Sequence, residues 1–174
     1  MANESVTFYK NPKIEILFGF LGGKPIPTKQ DKFKPLKAFE TDSEGNEIEI
    51  KNLYERKADK NSIQEMKELV NQNAAKAFKE RGIIKKPAEV EVILSISLSE
   101  KRFKEVDVDN LAKTILDGLI GEAFEDDAQV SSLMVTKFVH QMKVDSILIG
   151  ITELTEANKG LRNDIMLMRD TEWE

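Results

Sequence analysis

The densest chemistry in the chain lies between residues 107 and 130, which read D-V-D-N-L-A-K-T-I-L-D-G-L-I-G-E-A-F-E-D-D-A-Q-V. Asp107, Asp109, Asp117, Asp126 and Asp127 gather there around a single lysine, Lys113. Asp107 and Asp109 are two apart, and in an extended segment residues i and i+2 point to the same side. Both carboxylates are therefore expected to face one point. Like charges packed together destabilise a fold unless a cation neutralises them. The chain has no cysteine and one histidine, His140, which reads as a surface or turn residue. Thiolate sites are excluded and imidazole sites disfavoured, so the donor set suits a hard, oxygen-liganded Mg²⁺ or Mn²⁺. The reaction that fits is hydrolysis of a phosphodiester, with Asp107, Asp109 and Asp127 on the metal and Lys113 stabilising charge on the phosphoryl oxygens. Plainer readings stand beside this one. Lys113 follows Asp109 by four residues and precedes Asp117 by four, the spacing of surface ion pairs that stabilise a helix by ~0.3–0.5 kcal/mol. Asp109 or Asn110 suits a helix N-cap, and adjacent acids such as Asp126 and Asp127 are ordinarily solvated.

The elements that must hold these residues follow from periodicity. Residues 13–21 alternate, with Ile14, Ile16, Phe18 and Phe20 on one face, and predict a strand. A glycine-proline break follows, then a lysine-rich loop to residue 37 and a hairpin or extended pair over 37–51 around Ser43-Glu44-Gly45-Asn46. Ser62 and Glu65 form a capping-box pattern. Ile63, Met66, Val70, Ala74 and Ala77 then recur at helical spacing, up to a stop at Gly82. Val90, Val92, Leu94, Ile96 and Leu98 predict a second strand after Pro87, and residues 99–106 a basic connection into the acidic stretch. Leu111, Ala112, Ile115, Leu116 and Leu119 predict a helix with a buried stripe, ended by Gly121, with Phe124 anchoring the loop that carries Asp126 and Asp127. Residues 132–140 and 144–154 predict two more strands, read as an antiparallel pair. The fold class is α/β (α+β): a single-layer mixed sheet packed by two main helices. One domain is expected over residues 1–154, with a polar tail over 155–174 in which Ile165, Leu167 and Met168 suit a short helix.

At 174 residues, 40% hydrophobic and 33% charged, the chain reads as an ordinary globular protein able to bury a core. The net charge of −5 hides an asymmetry. Seven lysines lie between residues 10 and 37 against only Glu15 and Asp31, and Lys101, Arg102 and Lys104 precede the carboxylates. Potential is screened over ~10 Å, so a basic face on an acidic protein is possible. Lys24, Lys29, Lys32, Lys34, Lys101, Arg102 and Lys104 are the candidate contacts to a nucleic-acid backbone, though a lysine-rich loop is more often a solvated one. No apolar run suits a signal peptide or a membrane span, so a cytoplasmic location is expected. No G-x-S-x-G, Walker or G-x-G-x-x-G motif is present.

The run D-V-D-N-L-A-K, then Asp117, Gly121 and F-E-D-D-A-Q-V, resembles the signature of the RusA-type Holliday junction resolvases. The resemblance is dense over residues 107–130 and extends elsewhere as layout. Residues 23–29 are closer to phage-type variants than to the Pro-Pro-Ser-Asn-Asn segment of bacterial members. It implies that Asp107, Asp109 and Asp127 are metal-binding catalytic carboxylates and Lys113 an essential lysine. Asn110, Asp117, Asp126 and Gln129 would orient them. It also implies a homodimer using Mg²⁺ or Mn²⁺ that cuts four-way DNA junctions by paired, symmetric incisions in recombination and repair. Two other readings carry different expectations. A non-catalytic module would bind branched DNA without cleaving it. A hydrolase of small phosphate compounds would release phosphate from nucleotides and leave DNA untouched.

Overall fold

The computed structural model describes residues 11–21, 26–28, 33–56, 62–139 and 144–162. Its elements are β1 (Ile16–Leu21), β2 (Phe33–Pro35), β3 (Ala38–Thr41), β4 (Glu47–Ile50), β5 (Tyr54–Arg56), α1 (Ser62–Ala77), β6 (Glu89–Ser97), α2 (Glu100–Glu105), α3 (Val108–Leu119), a 3₁₀ turn (Asp127–Gln129), β7 (Val130–Phe138) and β8 (Ser146–Leu154). Four strands form one mixed sheet in the order β1-β8-β6-β7. The pairs β2–β5 and β3–β4 form separate antiparallel ribbons. The α+β class expected from the periodicity holds. No helix among the described residues is long and apolar enough to cross a membrane.

The alternation of β6 is the centre of the sheet. Val92, Leu94 and Ile96 are opposite Ile151, Ile149 and Ile147 of β8, which in turn face Ile16, Phe18 and Phe20 of β1. Every one of these β6 and β8 side chains is buried. Met66, Val70 and Ala74 of α1 join Leu111, Ala112, Ile115 and Leu119 of α3 against that row, making one core. α1 and α3 touch closely at Gly118, where a Cβ would stand 2.9 Å from the Lys67 carbonyl and 2.9 Å from Val70 Cβ.

Three expectations need correcting. β7 and β8 are not an antiparallel pair, because β6 lies between them: β7 runs parallel to β6 and β8 antiparallel to it. The physical reason is the crossover, since a strand returning through a helix re-enters the sheet parallel to the strand it left. Residues 99–106 are not merely a basic connection. Ser99 accepts from the Arg102 N–H at 3.4 Å and starts the short helix α2. Part of the lysine-rich loop is also strand, since Phe33–Pro35 pairs with Tyr54–Arg56. The hairpin over 37–51 is present as β3–β4, turned by Asp42, whose carboxylate accepts from the backbone of Glu44 and Asn46.

The first residues of the expected tail lie against the body. The buried carboxylate of Glu91 accepts from the Leu161 N–H at 2.7 Å, the Arg162 N–H at 2.6 Å and the Ser132 hydroxyl at 3.1 Å. Residues 163–174, with Ile165, Leu167 and Met168, lie outside the described residues, as does His140.

Candidate active site

The site is built on the β6–α2–α3–β7 crossover. Asp107 has extended backbone (φ −87, ψ 145) and occupies the N-cap of α3. Its carbonyl accepts from the Leu111 N–H at 3.2 Å, while its carboxylate makes no capping hydrogen bond. This corrects two readings. The cap is Asp107, not Asp109 or Asn110, and Asp109 sits inside the first helical turn rather than on a shared extended segment. The apolar stripe starting at Leu111 needs a full turn before it, and that draws Val108, Asp109 and Asn110 into the helix. Asp107 and Asp109 are both exposed. Asn110 is half-buried, and its carbonyl accepts from the Thr114 hydroxyl at 3.3 Å.

The approach to Asp107 is clamped from β7. Lys137 Nζ donates to the Phe103 carbonyl at 2.9 Å and the Val106 carbonyl at 2.6 Å. The same ammonium lies 4.6 Å from the centre of the Phe103 ring, a cation–π contact. Two further bonds hold the segment Ile26–Thr28 against α2 and α3. Arg102 donates to the Ile26 carbonyl at 2.7 Å, and the Thr114 hydroxyl to the Pro27 carbonyl at 3.1 Å. The guanidinium of Arg102 is thus turned inward, whereas Lys101 and Lys104 are exposed. Lys24, Lys29 and Lys32 lie outside the described residues, and of Lys34 only the strand backbone is described.

Lys113 joins the helix to the loop. Its ammonium lies 3.2 Å from Asp117 Oδ1 and 3.5 Å from Asp127 Oδ2. Lys67 reaches across from α1 to the other oxygen of Asp117, at 2.8 Å. Hydrogen bonding to Asp117, helped by its charge and that of Asp127, raises the Lys113 pKa, so the ammonium stays charged. Burial pushes the Asp117 carboxyl up, but the bonds from Lys67 and Lys113 outweigh it and the net shift is downward.

The loop bearing Asp126 and Asp127 is rigidly built. Gly121, at φ +92, reverses the chain after α3, and Phe124 is fully buried. Asp126 caps the 3₁₀ turn by accepting from the Ala128 N–H at 3.0 Å. Gln129, buried, accepts from the N–H groups of Glu125 and Asp126 at 2.9 and 3.1 Å. Its amide donates to the carbonyls of Ile84 and Ala88 at 3.2 and 3.0 Å. Lys86 closes the outer side, with Nζ 2.7 Å from Asp126 Oδ2 and its N–H donating to Glu125. That lysine, then the Ala128 N–H, hold the Asp126 carboxyl down at about 2. Asp127, next door, is the acid of the pair that reaches Lys113.

The crossover therefore brings Lys113, Asp117 and Asp127 together and leaves Asp107 and Asp109 exposed at the head of the same helix. Among the described residues no three His, Cys, Asp or Glu side chains converge closely enough to hold a metal. Lys67, Lys86 and Lys137 are contributions that periodicity could not reveal, because each acts from a separate element and reads alone as a solvated lysine.

A protein-family model described as Endodeoxyribonuclease RusA matches residues 23–150. A comparison with curated proteins found no match.

Proposed function

Because the chain belongs to the RusA endodeoxyribonuclease family, whose members act on Holliday junctions, we propose that it is a Mg²⁺-dependent, structure-selective nuclease. On this reading it resolves four-way DNA junctions by symmetric phosphodiester hydrolysis, as a homodimer, in recombination and repair in the cytoplasm. The observation that carries the assignment of residues is the meeting of Lys113 with Asp127 across the loop, 3.5 Å apart. It brings a residue of α3 and a residue of the loop that follows the helix side by side.

The donor chemistry of Asp107, Asp109 and Asp127 fits a hard cation: three exposed aspartates carried by the crossover, with oxygen donors only. Their carboxylates are not yet convergent. Mg²⁺ or Mn²⁺ held there would lower the pKa of a bound water and neutralise charge on the phosphate. The chain's own residues do the rest. Lys113, charged by its carboxylate neighbours, places an ammonium beside the non-bridging oxygens as negative charge grows on them. Asp117 holds that ammonium in direction. Gln129 and Lys86 keep Asp126 and Asp127 from swinging outward. Asn110 fixes the first turn through Thr114. The basic residues Lys24, Lys29, Lys32, Lys34, Lys101 and Lys104 are the contacts to the DNA backbone on this reading, and Arg102 holds Ile26 against α2.

The test is cleavage of a synthetic four-way junction in Mg²⁺, with incisions mapped on all four strands and Asp109→Asn as control. Paired, symmetric cuts that the variant loses support the reading. Binding without cutting in any divalent cation would instead select a branched-DNA-binding module, and phosphate release from free nucleotides a small-molecule hydrolase.

A further inference from the structure

We infer that Lys67, on α1, is a positioning residue for the cleavage reaction, acting through Asp117 on Lys113. The inference deepens the nuclease reading above and rests on it.

Lys67 stands outside the crossover that carries Asp107, Asp109, Lys113, Asp117 and Asp127. It reaches Asp117 because α1 and α3 pack unusually close. At their crossing α3 has Gly118, and the space a side chain would fill is taken by the Lys67 carbonyl and Val70. That approach sets Lys67 Nζ 2.8 Å from Asp117 Oδ2. The other carboxylate oxygen, Oδ1, takes Lys113 at 3.2 Å. Asp117 thus divides its two oxygens between two ammonium groups.

The division matters for Lys113. An unshared aspartate offers both oxygens, and an ammonium four residues earlier on the helix settles between them. With Oδ2 taken by Lys67, Asp117 holds Lys113 through one oxygen only, and Lys113 extends to Asp127 at 3.5 Å. Lys113 is half-exposed, so its ammonium is open to a phosphate from solvent. Lys67 is itself 31% exposed. Asp117 is 19% exposed, so the pair is partly buried and also ties α1 to α3. What it adds beyond that tie is the direction in which Lys113 points.

The experiment compares wild type, Lys67→Met, Lys67→Arg, Asp117→Asn and the Lys67→Met/Asp117→Asn double variant. Single-turnover cleavage of a four-way junction is measured in Mg²⁺, and junction affinity in EDTA. Lys67→Met is expected to cleave roughly 10- to 100-fold more slowly, the range for residues that orient a reacting group, with affinity changed less than about threefold, as for a single lost phosphate contact. Lys67→Arg, which still bonds a carboxylate, recovers most of the rate. The double variant is no slower than Asp117→Asn alone, because Lys67 works only through Asp117. Wild-type cleavage by Lys67→Met, losses that multiply in the double variant, or affinity falling in step with rate would each overturn the inference. A readout independent of activity is the side-chain carboxyl resonance of Asp127, expected to move in Lys67→Met as Lys113 leaves it. If wild type cuts no junction, the nuclease reading fails by itself, and an unmoved Asp127 resonance separately removes the role of Lys67.

Discussion

At the scale of single residues, two neighbouring aspartates take opposite parts. Asp126 bonds Lys86 and the Ala128 N–H, and so builds the loop. Asp127 faces Lys113. Asp127→Asn should leave folding intact and lower the junction-cleavage rate at least about 100-fold, as losing a group that acts in the transition state does; an active variant would remove Asp127 from the site. For Asp126 the chemistry is a titration. Its carboxyl is held at about 2 against an ordinary 3.8. A depressed folded-state value means that its stabilising contribution is present above the ordinary value and is lost as pH falls toward 2. Because the largest cause is the bond from Lys86, Lys86→Met should bring the Asp126 midpoint back toward 3.8 in a carboxyl-detected NMR titration. A midpoint still near 2 would mean the Ala128 N–H alone suffices. The lysine itself was invisible as a partner in the sequence, since forty residues separate the two.

At the scale of elements, the site depends on how closely α3 is held by its neighbours. Gly118→Val would place methyl groups where the Lys67 carbonyl and Val70 stand, forcing α1 and α3 apart. Overpacking of this kind costs about 1–3 kcal/mol, which urea denaturation would report, and it should slow cleavage as well by withdrawing Lys67. Gln129→Ala strands four backbone groups that its side chain now satisfies. A loss of about 1–3 kcal/mol is expected; a variant as stable as wild type would mean that water replaces the amide. Most elements were legible before the structure. The alternation of β1, β6 and β8 and the stripes of α1 and α3 are local patterns that burial imposes directly. What was not legible is relational. Nothing in residues 132–154 says that β6 stands between the two strands, because pairing partners are chosen across the sheet rather than along the chain. The start of α3 was misplaced because Asp107, Asp109 and Asn110 all make acceptable caps, and only packing of the apolar stripe selects among them. The Lys113–Asp117 pair follows from helical spacing, while the meeting of Lys113 with Asp127 needed the turn at Gly121.

At the scale of the whole molecule, charge is sorted by region. Between Ala38 and Ile50 there are five acids and no lysine or arginine. That hairpin exposes Phe39 and Ile48, each at 55%. Replacing residues 39–49 with an Asn-Gly turn should leave the melting temperature nearly unchanged, since exposed segments away from the core contribute within about 0.5 kcal/mol. Removing five negative charges should tighten binding to DNA, most at low salt; an unchanged affinity across a salt titration would place the hairpin beyond reach of the DNA. The order of the strands has a further consequence, for biosynthesis. Among the described residues β1 pairs only with β8, with Ile16 opposite Ile151, and the apolar row of β6 waits for β7 on one side and β8 on the other. A chain emerging from the ribosome therefore carries β1 without its sheet neighbour, and β6 with β7 alone beside it, until β8 is made. Pairings this distant in sequence close slowly. Nascent chains stalled before Ser146 should remain open to protease, and protection should arrive in one step once residues 146–154 are out. Protection of a shorter chain would show a subdomain that folds ahead of the sheet.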